Sequence, residues 1–243
     1  MLKIAVTGEG PTDYGRQEYG SENWIWGPIK PYICKIAEEN GVEIQLVAIA
    51  RPDVQRVKLQ QIKGLKGKAI TSRKFAILMK QKECDCGIYY SDTDKRPGLK
   101  SNSLPTVKRL FEEVYDEIKE GLHHDAKAIP MVALHMIESW ILSDEAAYKI
   151  LYDQIPTRPG VPLHPELLWG EAGDPDSNYP KHYLERMIHQ IDKRFRNDLI
   201  TQDTYCEIAS HTKIATLRKK CPISFEKFYS DFTRLLDASV TQG

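Results

Sequence analysis

Short apolar, β-favouring runs that stop abruptly at glycines and acids constrain this chain more than any other feature. Lys3-Ile4-Ala5-Val6-Thr7 runs into Gly8-Glu9-Gly10-Pro11-Thr12-Asp13, and Gly87-Ile88-Tyr89-Tyr90-Ser91 runs into Asp92-Thr93-Asp94. Residues 42–50 and 129–135 are two further runs of this kind. Such runs fit strands buried on both faces of a parallel sheet. Helical periodicity fills the intervals. Residues 28–40 place Ile29, Ile33, Ile36 and Ala37 on one face before Gly41, and residues 104–121 carry the stripe Val107, Leu110, Phe111, Val114 and Ile118. Ser72 is a candidate cap for a helix over 73–81, and another helix begins near Ile137. This alternation, without hairpin signals between those four strands, predicts an α/β fold: a mainly parallel sheet, helices on both faces and right-handed crossovers.

From Tyr152 to Pro180 the periodicity fails, in a stretch holding Pro156, Pro159, Pro162, Pro165, Pro175 and Pro180. A loop of that length marks either a functional segment or a boundary. Beyond it the pattern is helical, over 181–197, 204–220 and 224–238, with Ser224 as N-cap of the last. The expected organisation is a catalytic core over 1–150 and, over 151–243, a Pro-rich loop and helical region packed on it.

The 243 residues are 41% hydrophobic and 28% charged, as in soluble globular proteins. Lys plus Arg (34) equals Asp plus Glu (34), so net charge names no partner. Its distribution is more telling: Arg51, Arg56, Lys58, Lys63, Lys66, Lys68, Arg73, Lys74, Lys80 and Lys82 face a single acid, Asp53, between positions 51 and 82. That excess is either a solvated face or a footprint for a phosphate-rich partner such as DNA or RNA. Five cysteines without a second pair at zinc-ligand spacing make neither a disulfide scaffold nor a structural zinc site. The first residues enter a strand without a cationic-then-apolar signal, and no window approaches the ~18 apolar residues of a membrane span. The expected location is the cytoplasm.

Glu9, between two glycines after a strand, is accessible in a sharp turn. Asp13 caps a helix or joins Glu9. Asp92 and Asp94, two apart, reach from one loop into one site. Glu138 opens a helix at the end of the next strand, where an acid also complements the helix dipole. In a parallel sheet all of these emerge at the carboxyl rim, where ligands bind. That concentration of carboxylates calls for a divalent cation, Mg2+ or Mn2+. Asp92, Asp94 and Glu9 would hold one ion, with Glu9 also a candidate general acid–base, and Asp13 with Glu138 would complete a second site.

The order of Gly-Glu-Gly, Asp-x-Asp and Glu138-Ser139-Trp140 after three strands resembles the Toprim superfamily, shared by topoisomerases, primases and overcoming-lysogenization-defect nucleases. More narrowly, it resembles small stand-alone Toprim-like proteins related to those nucleases. Pro180-Lys181, His211-Thr212-Lys213 and Cys221-Pro222-Ile223-Ser224-Phe225 extend the resemblance over most of the chain. The resemblance implies metal-dependent cleavage of phosphodiester bonds by a one- or two-metal mechanism, in a defence or toxin effector, with Lys181 and Lys213 as candidate point charges beside the scissile phosphate and His211 near Lys213. The aromatic segment 14–27 departs from a simple Toprim loop, and no tyrosine stands in a topoisomerase nucleophile context. Two other readings stay open. One is a different Mg-dependent phosphoryl or glycosyl transferase built on Asp92 and Asp94. The other is a catalytically quiet partner of an ATPase protein, and a homo-oligomer is compatible with either.

Overall fold

The computed structural model describes residues 1–59, 64–93, 103–122, 127–192 and 200–240. Strand β1 (Leu2–Gly8) leads through a hairpin, β2 (Gly15–Gln17) and β3 (Trp24–Trp26), into α1 (Ile29–Glu39) and β4 (Ile44–Ala48). Then α2 (Arg51–Arg56) and α3 (Gly67–Gln81) precede β5 (Cys86–Asp92), and α4 (Leu104–Leu122) precedes β6 (Ala128–Ala133). The four long strands form one parallel sheet in the order β4–β1–β5–β6. The chain thus adds β4 on one side of β1 and β5 on the other. The gap between β1 and β5 is the topological switch point, where open parallel sheets bind ligands.

Alternation along the strands feeds two cores. Ile4, Val6, Ile88, Tyr90 and Met131 pack with Ile33 and Ile36 of α1, whereas Ala5, Tyr89 and Val132 pack with Phe75 of α3 and Val114 of α4. Each fully buried aliphatic side chain is worth about 1.5–3 kcal/mol of transfer free energy. The α/β fold with parallel strands and helices on both faces is therefore as the periodicity predicts. The aromatic segment is the β2–β3 hairpin, in which Trp24 packs on Tyr14 with ring centroids 5.1 Å apart.

The C-terminal region is helical. After α5 (Glu138–Ile141) and α6 (Glu145–Tyr152), which close the expected core, it contains a 3-10 turn at Pro165–Leu167, α7 (Pro180–Ile191), α8 (Gln202–His211), α9 (Ile214–Lys220) and α10 (Phe225–Val240). Phe225, Phe228 and Phe232 of α10 enter the same core as α1 and β1. Among the described residues no helix is long and apolar enough to cross a membrane.

Three local expectations are corrected. Ser72 is not a cap: α3 begins at Gly67, and the buried Ser72 hydroxyl donates to the carbonyls of Ala69 and Ile118, 3.2 and 3.0 Å away. The β6 strand stops at Ala133 rather than 135, because His135 takes a left-handed backbone (φ 64). The helix expected over 204–220 is two helices. Lys213 leaves the helical conformation and donates its N–H to Asp144 Oδ2 at 2.8 Å, while Lys35 Nζ donates to the carbonyls of Ala209 (3.1 Å) and Thr212 (2.7 Å).

Candidate active site

Glu9 follows β1 and Asp92 ends β5, on adjacent parallel strands whose register pairs Gly8 with Tyr90. Both acids lie at the carboxyl rim, at the switch point. Gly10 (φ 78) makes the turn that returns the chain, with the Asp13 N–H donating to its carbonyl at 3.2 Å. Gly27 lets the hairpin close on this turn: a Cβ there would lie 2.1 Å from the Asp13 carbonyl oxygen. Glu138 opens α5, five residues after β6 ends.

The pleat then divides the acids between the two faces of the sheet, because successive side chains point opposite ways. On the α1 face, the buried Tyr90 hydroxyl donates to Asp13 Oδ2 at 2.9 Å. Burial first, then the charges of Asp13 and Asp92, the hydrogen bond to Asp13 and the charge of Glu138 hold the Tyr90 phenol well above its usual range. Of these acids Asp13 bonds the hydroxyl directly, while Asp92 and Glu138 act on it through their charge. Glu138 is 8% exposed, and burial raises its carboxyl, opposed by its own backbone N–H, Lys181 and a hydrogen bond from Tyr205. Glu185 adds a further negative charge beside it. Tyr205 is itself raised, by burial and by Glu138, Glu185 and Asp13.

On the α3 face, Glu9 is held otherwise. Lys68 Nζ donates to Glu9 Oε2 and, at 2.7 Å, to the buried Ser91 hydroxyl, which donates to the same Glu9 oxygen at 3.0 Å. Arg51 Nη2 stands 4.0 Å from Glu9 Oε1. The two halves of the rim meet where the Glu9 N–H donates to the Tyr90 carbonyl at 3.3 Å.

The fold thus brings Asp13, Asp92, Glu138 and Lys181 to one side of the rim and Glu9 to the other. Asp94 lies outside the described residues, as does Lys63 of the basic segment. Lys213 is exposed beyond the Asp144 contact, and among the described residues no contact joins its ammonium to the four acids. His211 is exposed at the end of α8. Trp140 of the Glu-Ser-Trp element is core: fully buried, with Nε1 donating to Ser224 Oγ at 2.8 Å. Glu166, from the Pro-rich loop, accepts the N–H groups of Ile223 and Ser224 (3.0 and 2.8 Å), so this loop caps α10.

Tyr90, Ser91, Lys68, Glu185 and Tyr205 are absent from the sequence reading of the site. Only Tyr90 and Ser91 carry a local signal, as neighbours of Asp92 on a strand of period 2. Lys68 is one of ten basic residues in its segment, and Tyr205 comes from a helix after the Pro-rich loop.

The donors at this rim are carboxylate oxygens, the ligand chemistry of hard divalent cations. Among the described residues no three His, Cys, Asp or Glu side chains are already gathered around a single point. The set on the α1 face fits such a cation in chemistry, with Asp92 and Asp13 nearest the switch point. Set against protein-family models, curated proteins and solved structures, the chain matches none.

Proposed function

We propose that the chain is a Mg2+- or Mn2+-dependent nuclease that cleaves phosphodiester bonds at the carboxyl rim between β1 and β5. The observation that carries the reading is the hydrogen bond of the buried Tyr90 hydroxyl to Asp13 at the topological switch point, beside Asp92 at the end of the same strand. Asp92 and Asp13 would hold the cation, with Glu138 and Asp94 completing its ligands. When bound, such a cation polarises the phosphate and lowers the pKa of an attacking water. Tyr90 holds Asp13 in place by its hydrogen bond, and Tyr205 does the same for Glu138. Lys181, exposed beside Glu138, offers its ammonium to a phosphate oxygen as charge gathers there. The basic residues of α2 and α3 would follow the nucleic-acid backbone, with affinity that falls as salt rises.

Incubation of the purified protein with labelled single-stranded DNA, duplex DNA and transfer RNA tests this reading. Cleavage of at least one substrate is expected with Mg2+ or Mn2+ and none with EDTA. Intact substrates under every metal condition would remove the nuclease reading.

A further inference from the structure

The α3 face of the rim carries a group that the metal reading leaves unused. Glu9 stands between two cations, the Lys68 ammonium on Oε2 and the Arg51 guanidinium 4.0 Å from Oε1. Two other acids pack nearby, and both are committed. Glu117 accepts the Lys68 backbone N–H at 2.8 Å, at the start of α3, where a carboxylate complements the helix dipole. Asp53 pairs with Arg56 at 3.0 Å. Taken by itself, the trio of Glu9, Lys68 and Arg51 carries one positive charge in excess, with the Glu117 carboxylate set behind Lys68 at its backbone N–H. It is also built rather than loose. Buried Ser91 fixes Lys68 and Glu9 together, and the backbone N–H of Arg51 donates to the Tyr14 hydroxyl at 3.2 Å, which holds the start of α2 in place. The Arg51 side chain is 49% exposed while Glu9 and Lys68 are each 23% exposed, so the guanidinium is the group of the three most open to solvent.

From this geometry we infer that Arg51 and Lys68 form a phosphate-binding site, and that Glu9 is the carboxylate that positions them rather than a ligand of the metal. A planar guanidinium with an ammonium beside it suits the oxygens of a phosphate group. That the phosphate belongs to a nucleic-acid backbone rests on the proposed function; the phosphate site itself does not.

Two probes separate these claims: anisotropy of a labelled single-stranded oligonucleotide in EDTA over a salt series, and the thermal shift produced by inorganic phosphate. Arg51→Ala is expected to weaken oligonucleotide binding about tenfold and to lower the slope of log affinity against log salt by about one. Lys119→Ala, in the last turn of α4, should leave both unchanged. Calorimetry with Mn2+ is the third arm: Glu9→Gln should bind the ion like the wild type, whereas Asp92→Asn should lose it. Lys68→Met should act as Arg51→Ala does. If Lys68→Met fails to fold, Arg51→Ala decides alone, because its side chain is half-exposed. Wild-type affinities in Arg51→Ala overturn the site, and loss of Mn2+ binding in Glu9→Gln overturns the role of Glu9. A wild type that binds neither probe also overturns the inference. Phosphate binding without oligonucleotide binding keeps the site and sinks the nuclease reading.

Discussion

Glu138 couples the chemistry of the rim to the stability of the chain. Its carboxyl is raised above 4.5, chiefly by burial, so in the folded state it keeps its proton at a pH where the unfolded chain has released it. The stabilising contribution of this group is complete below pH 4.5 and is lost as pH rises through the raised value. Glu138→Gln keeps an acceptor for the Tyr205 hydroxyl and removes the buried charge. Melting curves should show the variant a few degrees more stable than the wild type at pH 8, with the gap closing as pH falls toward 4.5. The same variant should bind Mn2+ more weakly, the trade-off expected where a site carries unfavourable charge for its function. A constant gap from pH 4 to pH 8 would show that burial does not perturb Glu138.

At the scale of elements, the C-terminal helices are held to the sheet by polar joints that an isolated helix pattern does not reveal. Asp144 is 3% exposed and serves two helices, accepting the Ala146 N–H in α6 at 3.1 Å and the Lys213 N–H at 2.8 Å before α9. Asp144→Ala should cost about 1–3 kcal/mol in denaturant unfolding, since it leaves buried donors unmet. Lys213→Ala should stay within about 0.5 kcal/mol of the wild type, as for an exposed substitution. Equal losses in both would show that the lysine side chain belongs to the joint as well, against this account. Trp140 packs on Phe225 at 5.0 Å and Tyr32 at 5.9 Å between ring centroids, and bonds to Ser224. Trp140→Ala should therefore destabilise by about 3–5 kcal/mol. Whatever fraction stays folded should keep its Mn2+ affinity, which a Trp in the metal chemistry would not allow.

For the whole molecule, the sheet and its rim were legible because strands and buried helices repeat with fixed periods. Ile4 and Val6 against Ala5, and Ile33 with Ile36 on one helix face, encode which side chains meet which core. The same periods place Glu9, Asp92 and Glu138 at one edge. What they do not encode is the partner each acid finds. Lys68 reaches Glu9 from 59 residues away in the chain, and Tyr205 reaches Glu138 from 67 residues away, through packing of helices that no local pattern specifies. The break before Lys213 was illegible for the same reason, since Asp144 and Lys35 impose it from other helices.

The central claim is that the acids of the α1 face support metal-dependent phosphodiester cleavage. Single-turnover cleavage of an end-labelled nucleic acid by the wild type and by Asp92→Asn, at saturating Mg2+ and in EDTA, tests it most directly. The wild type should cleave in Mg2+ and stop in EDTA, and Asp92→Asn should lose roughly two orders of magnitude or more in rate while keeping its fold. Equal cleavage by the two proteins, or cleavage that persists in EDTA, would contradict the account.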